Sequence, residues 1–408
     1  MTERGEMREA DIAIVGGGMV GLTAAAGLAS QGFEVVVIDR EAPKKVTDKG
    51  FDGRCSAIAA ASRRLLEALG IWQHLAGEAG PIEEIRVSDG PSRLFLHFDR
   101  RMLGAEPLGH MVENRHMRLA LEKHIVTLPG LCRIAPAELD HFQPGPGKAR
   151  LGLKDGRTIA TSLVIAADGR NSRMRREAGI RTPGWRYDQV GIVATIAHEL
   201  PHCAIAHERF LPDGPFAILP LPDNRSSLVW TARADMQHAI MGLGERAFEA
   251  EIAARIGGFL GSISVIGPRF SYPLGLHLAE RYIDERLCLI GDAAHGIHPI
   301  AGQGLNLGLR DVAALIEVLV AAMRRGEDIG AAFVLERYQR WRRTDSLVLA
   351  AATDGLNRLF SNDVPPVRLA RDLGLAAVQR LPALKRFFME HARGTFGDLP
   401  KLLKGEPL

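Results

Sequence analysis

Gly16, Gly18 and Gly21 follow the apolar run Ile12–Val15 in the order G-x-G-x-x-G, and Asp39 closes a second apolar run, Phe33–Ile38, eighteen residues after Gly21. Each type has a mechanical reason. Gly16 allows a tight turn, Gly18 lets a pyrophosphate approach the backbone, and Gly21 lets the following helix lie close to the sheet. A helix from about Met19 to Ser30, lined by Ala24, Ala25 and Ala26 and ended by Gly32, opens with free N–H groups aimed at an anion. Asp39 stands where a carboxylate can accept ribose hydroxyls, with Arg40 beside it. Strand, turn, helix, second strand and acid together read as an adenine-dinucleotide site.

Two further runs add chemistry. A buried strand, Leu163–Ala167, runs into Asp168-Gly169, and Arg286–Ile290 runs into Gly291-Asp292, followed by His298-Pro299 and by Gly302-Gln303-Gly304-Leu305-Asn306. Alone, an Asp-Gly pair is a turn. In this order and spacing the three motifs resemble the single-component flavoprotein aromatic hydroxylases, a para-hydroxybenzoate hydroxylase-like family, over nearly the whole chain. The resemblance implies FAD, with Asp292 on the ribityl chain. It also puts Asp168 and Gly169 near the pyrophosphate, with a part in both FAD and NAD(P)H binding. The Gly302–Gly304 turn would open a helix to about Arg324 whose N-terminus faces the pyrimidine edge of the flavin; such an end favours an anion by about 0.3–1 kcal/mol, up to roughly 2 when partly buried.

Gly53–Ala59, the triplet Glu113-Asn114-Arg115, and His298–Val312 are similar to the ubiquinone-biosynthesis subgroup, which hydroxylates a polyprenylated phenol. That similarity implies Arg54 and Ser56 near the flavin, Arg115 reaching FAD, Pro299 against the isoalloxazine, and Gln303, Leu305 and Asn306 in the cofactor loop. The implied chemistry is reduction of FAD by NAD(P)H, reaction with O2 to a C4a-hydroperoxyflavin, and attack of the ring on the distal oxygen. No second dinucleotide unit is present, in keeping with transient NAD(P)H binding. His298 and Pro299 are catalytic candidates by position only. A phenol near pKa 10 must lose its proton to become a strong nucleophile, and the sequence does not identify the base. Phe216–Pro220 is expected in the substrate wall. Rival readings are a hydroxylase of another small phenol, a flavin-dependent prenyl reductase and a flavin-binding assembly subunit.

These motifs need positioning elements, and the spacing predicts them. Helical spacing is expected over Ser56–Leu75 and Arg115–Leu128, strands over Ile82–Val87 and Leu94–Phe98, a turn at Pro144–Gly147, and short strands with one helix near Gly244–Ile256 between Val190 and Ser271. The expected fold class is α/β: a Rossmann-like FAD-binding domain (1–80, 112–185 and 280–330) interrupted by a mixed-sheet substrate domain (81–111 and 186–279), plus a C-terminal helical region (331–408). At 408 residues two or three lobes are expected.

Bulk composition excludes several classes. A net charge of +3 gives no case for nucleic acid, and four well-separated cysteines suit a reducing cytoplasm without a cysteine metal site. Met1–Ala10 is polar, unlike a signal peptide, and the longest apolar run, Val312–Met323, is too short to span a bilayer. His198-Glu199-Leu200-Pro201-His202 matches a zinc-protease pattern in letters, but Pro201 disrupts the helical turn that would bring both histidines to one metal. No metal site is expected. Leu335–Lys404 carries 13 Lys and Arg against 7 Asp and Glu. There Leu384, Phe387, Phe388 and Met389 are interleaved with Arg380, Lys385, Arg386 and Arg393. This region either packs on the FAD domain or rests on the anionic inner face of a membrane in which a lipophilic substrate dissolves. The resemblance also raises membership of a ubiquinone-biosynthesis complex.

Overall fold

The computed structural model describes residues 7–90, 95–298, 302–361, 371, 374 and 377–408. The expected contact of Pro299 lies outside the described residues. Five strands run parallel in the spatial order Leu131–Ile134, Val35–Ile38, Met7–Val15, Thr158–Ala166 and Leu287–Leu289. Ile12, Ile14, Leu163 and Ile165 in this sheet are wholly buried, each worth about 1.5–3 kcal/mol relative to exposure. Strands covered on both faces read as continuous apolar runs, which is why the sequence reveals them. Leu139–Gln143 and Ala149–Leu153 form the hairpin around the Pro/Gly turn and extend the same sheet.

Met19–Ala29 is buried from Gly21 onward and crosses the helix Gln303–Arg324 at close range. A Cβ on Gly27 would fall 2.3 Å from the Ile316 Cδ1, so backbone and side chain meet with no space between.

A second sheet is mixed. In spatial order it runs His295–Gly296, Ile263–Leu278, Gly184–His198, Arg225–Arg233, Gly214–Leu221, Ile205–Leu211, Glu84–Asp89 and Phe95–Asp99. Glu84–Asp89 is parallel to Ile205–Leu211, and the other pairs are antiparallel. Strands of 15 and 16 residues, Gly184–His198 and Ile263–Leu278, replace the short strands expected there. They pass their bends by register shifts between Arg186 and Val190 and between Val193 and Thr195. The helix Glu245–Ile256 packs on one face through Phe248 and Ile252.

Three short strands, Cys55–Ala59, Gly109–Glu113 and Ala79–Ile82, form a third sheet between the other two. This corrects the helix expected from Ser56, because the helical part begins only at Ala60. Local composition favours a helix, but five backbone pairings with Gly109–Glu113 outweigh it. A Cβ on Gly109 would meet the Ile58 carbonyl at 2.8 Å. Beyond Gly330 the chain is helical over Ala332–Phe360, Pro382–Ala392 and Lys401–Lys404.

Candidate functional site

The register of the parallel sheet gathers the motifs. Val15 lies level with Ile38 and Ala166, and Ala166 with Leu289. The residues that follow, Gly16, Asp39, Ala167-Asp168-Gly169 and Ile290-Gly291-Asp292, therefore leave the sheet at one carboxyl edge. That edge is where open α/β sheets bind ligands.

At the centre, Gly16 has φ +109°, a conformation closed to other residues, and an added Cβ would sit 2.3 Å from the Ala167 carbonyl oxygen. A Cβ on Gly21 would lie 2.0 Å from the Gly16 oxygen, whereas one on Gly18 would meet nothing within 4 Å. The two glycines thus have different tasks: Gly21 serves packing and Gly18 keeps the edge open. No side chain caps the helix at Gly18, and its first turn carries no acid. Its free N–H groups suit a phosphate. Gly17, which sequence reasoning passed over, gives room to the Asp39 carboxylate, 2.4 Å from where its Cβ would be.

Asp39 accepts the Glu41 backbone N–H at 3.0 Å and lies 3.4 Å from the Arg133 Nη2. Arg40 points away, with 79% of its side chain exposed and a 3.8 Å pairing to Glu41. The Asp168 Oδ2 accepts the backbone N–H groups of Arg173 and Met174, capping the short helix Arg173–Glu177. Its buried Oδ1 has no hydrogen-bond partner. Gly169 stands in the left-handed region at φ +79°.

The Gly291–Ala293 turn is held from behind. Asp311, wholly buried, accepts the Gly291 N–H at 3.0 Å and the His295 Nε2–H at 2.6 Å on one oxygen, and Arg342 Nε–H at 2.8 Å on the other. Burial would raise the Asp311 carboxyl, but His295 and Arg342 hold it below its ordinary value. His277 donates to the Asp292 carbonyl at 2.9 Å. With its backbone fixed in this way, the Asp292 side chain remains exposed.

Arg54 and Ser56 are organised by a residue that the sequence did not single out. Asp52, 5% exposed, accepts from Arg54 Nε at 2.9 Å and Nη2 at 3.0 Å, Arg118 at 2.6 Å, Asn114 at 3.2 Å and the Tyr272 hydroxyl at 3.4 Å. Burial alone would raise its carboxyl, yet the two guanidiniums hold it well below the carboxylate range. Burial weakens the hold of Arg54 on its proton, but Asp52, Tyr272 and Asp292 outweigh it. Arg54 therefore shares the electrostatic field of Asp292. Ser56 donates to Asn114 at 2.6 Å, and Arg115 donates to the Thr47 carbonyl at 2.9 Å, bracing the loop before Asp52. No spacing rule marks an aspartate two residues before an arginine, so this cluster was not legible.

The helix Gln303–Arg324 starts at Gly302, which has φ +62°, no capping side chain and no acid in the first turn. Asn306 accepts the Ala59 N–H at 2.9 Å and donates to the Ala57 carbonyl at 2.8 Å, clamping the strand Cys55–Ala59 to this helix. Gln303 donates to the Ala392 carbonyl at 3.4 Å, Leu305 packs against the core, and Gly304 is exposed. His298 is wholly buried, packed edge-on to Tyr187 at 5.1 Å, and burial lowers its pKa to about 4. It does not line the cavity next to Gly302.

That cavity opens between the three-stranded sheet and the larger mixed sheet. Ala57, Met111, Ala206, Leu219, Val229 and Gly302 are among its lining residues. Of the expected wall Phe216–Pro220, Ala217 and Leu219 face it, while Phe216 and Ile218 join the cluster on the other side of the sheet. An open Gly18, two uncapped helix ends, an exposed Asp292 and an unpartnered Asp168 oxygen fit a dinucleotide-linked flavin along this edge.

The structure also places two other motifs singled out in the sequence. His198 ends a strand, with its ring bonded to the Leu200 carbonyl and Ser226, and His202 bonds to the Leu221 carbonyl. The two rings meet edge-on at 5.5 Å with no helix between them. At the C-terminal end, Lys385 is 7% and Arg393 6% exposed, Arg393 paired with Glu106. Only Arg380 and Arg386 of the four cations face outward.

A family model described as FAD binding domain matches residues 9–346. A ubiquinone hydroxylase of Rhodospirillum rubrum is 51% identical over 402 residues, covering 98% of this chain and 94% of that protein. The 3-demethoxyubiquinol 3-hydroxylase of Escherichia coli is 39% identical, covering 94% of this chain and 98% of that protein. Among solved structures, the p-nitrophenol 4-monooxygenase of Pseudomonas putida DLL-E4 superposes with a TM-score of 0.81 at 19% identity, over 97% of this chain and 100% of that chain. At that identity the likeness speaks for the fold alone.

Proposed function

This chain belongs to the FAD-binding-domain family, and from that premise we propose that it is an FAD-dependent monooxygenase hydroxylating the aromatic ring of a polyprenylated phenol in ubiquinone biosynthesis. The observation that carries the reading is one edge of the parallel sheet, where Gly18, Asp39 and Asp292 follow the strand ends and the helix begun at the uncapped Gly302 packs its Gly308 against Gly291, with Gly302 itself lining an apolar cavity. The names of the similar bacterial hydroxylases support the substrate class.

FAD, reduced by NAD(P)H, supplies the activation of O2. The Gly18 helix end would hold the pyrophosphate, Asp39 the ribose and Asp292 the ribityl hydroxyls. The Gly302 helix end stabilises negative charge by about 0.3–1 kcal/mol, more when partly buried. Asp52 keeps Arg54 oriented beside Asp292. The apolar cavity would hold the ring, exclude water and receive the prenyl chain. The FAD and substrate domains would follow the boundaries read from the sequence. Peripheral contact of the C-terminal region with the inner membrane face, and membership of a ubiquinone-biosynthesis complex, belong to the same proposal.

The test is O2 uptake by FAD-loaded protein with NADH or NADPH and a prenylated phenol, followed by mass analysis of the product. Coupled uptake with one added oxygen is expected. Protein that stays colourless with excess FAD, or that oxidises NAD(P)H without hydroxylating any prenylated phenol, overturns the reading. Quinone profiling of a deletion strain then identifies the missing oxygenation.

A further inference from the structure

Glu208 is the sole carboxylate among the described residues that line the apolar cavity. Its orientation follows from register: on Ile205–Leu211 it stands opposite Ala217 in one neighbouring strand and level with Val87 in the other. Ala217 in turn pairs with Val229. Glu208, Ala217 and Val229 therefore share one face of the sheet, the face turned toward Gly302 and Ala57. A lone acid in such a wall is costly unless it has a task.

The charged groups around it explain its state. Arg86 and Arg209 lie one residue out of phase with it, and the neighbouring pocket that they line with Arg255 also borders Glu208. His207, its chain neighbour, is lowered to about 4 by burial, and Cys55, also lining the cavity, is pushed up to about 12 by burial. Both are uncharged at neutral pH. The facing residues of the adjacent strands, Val87, Ala217, Val229 and Thr231, carry no charge. Glu208 forms no ion pair with the described residues, and burial raises its pKa to about 7.

We propose that Glu208 accepts the phenolic proton of the substrate in this cavity. The proposal rests on the reading of the cavity as a phenol site. In the step the phenol O–H bond breaks, a carboxyl O–H bond forms on Glu208, and the electron pair stays on the phenolate oxygen. The proton returns to solvent when product leaves, and no electron is exchanged. A carboxylate near 7 stands closer to a phenol of about 10 than an ordinary glutamate of about 4.3 does, so the transfer is less uphill. Ile85, Leu219 and Met111, which line the same cavity, offer no base in its place.

The test uses FAD-loaded wild type and Glu208→Gln with a short-chain 2-prenylphenol as probe, read as kcat and KM for hydroxylation against pH. In wild type kcat declines on the acid side with an apparent pKa near 7, while the uphill transfer leaves the resting bound phenol protonated. In Glu208→Gln the acid limb disappears, and kcat falls about a hundredfold with little change in KM. Glu208→Asp keeps the limb and part of the rate, which separates loss of the proton acceptor from loss of the fold. Equal kcat in wild type and Glu208→Gln, or an acid limb that survives in Glu208→Gln, overturns the assignment while leaving the phenol reading intact. Wild type that hydroxylates neither this probe nor any other prenylated phenol overturns both.

Discussion

Asp39 holds two neighbours at once, the Glu41 N–H on one oxygen and Arg133 on the other. Arg133 has a second partner in Glu122, so removing the Asp39 carboxylate does not strand a buried charge. The variant Asp39→Ala should keep its fold and lose a charge-assisted bond to the cofactor, worth about 1.5–3 kcal/mol. We expect FAD affinity to fall about tenfold or more, measured by fluorescence titration of apo protein, with an unchanged melting temperature as control. Equal affinity in the variant refutes the ribose role. At this scale the sequence spoke through residue type: Asp39 was legible because a carboxylate after a glycine-turn unit has one common use. Asp52 was not, because its partners Arg118 and Tyr272 are distant in sequence and only the fold brings them to it.

Elements carry the difference between Gly18 and Gly21. Gly18 has φ −73° and ψ −179°, open to any residue, and free space where a side chain would go. Gly18→Val should fold normally yet lose FAD affinity on the order of a hundredfold, since the new side chain fills the phosphate approach. Gly21→Ala places a methyl 2.0 Å from the Gly16 oxygen and should cost about 1–3 kcal/mol of stability through overpacking. Denaturant melts and FAD titrations on both variants separate the two effects; equal stability loss in both contradicts the division of labour. The strands of the parallel sheet and the long helix Gln303–Arg324 were readable from continuous apolar runs and a glycine start. Cys55–Ala59 was not, because its pairing partner Gly109–Glu113 lies about fifty residues away and local helix propensity is a weak prior against long-range hydrogen bonding.

Across the whole molecule, burial of histidines sets the acid limit of stability. His298, His110 and His207 are each lowered to about 4, burial being the largest cause, against an unfolded value of about 6.5. Between these values the unfolded chain binds protons that the folded chain refuses. Stability is therefore full above pH 6.5 and falls as pH drops toward 4. Wholly buried His298 accounts for up to about 3 kcal/mol of this, and the partly exposed His110 and His207 for less. Melting temperatures should be level above pH 7 and decline steadily below 6.5; a flat profile down to pH 4.5 contradicts this.

The C-terminal face gives a second prediction at this scale. Among the described residues no helix is long and apolar enough to cross a membrane, yet Leu381, Leu384, Phe387, Phe388 and Phe396 are exposed close to Arg380 and Arg386. Flotation with anionic liposomes should weaken with salt and with the double variant Arg380→Glu and Arg386→Glu, by about 1 kcal/mol for each cation. Lys385 points inward and is not part of this test. Flotation unaffected by either change argues against a membrane face.

The sequence by itself determined the order of strand, glycine turn and acid, and the family. These depend on backbone geometry and apolar runs that neighbouring residues impose. Only the tertiary structure decided which groups face one another: Asp52 under Arg54, Asp311 behind Gly291, Lys385 turned inward, and Glu208 in an apolar wall. Side chains on a strand alternate between faces, so one residue of register exchanges the core for solvent. That register is set by partners far along the chain.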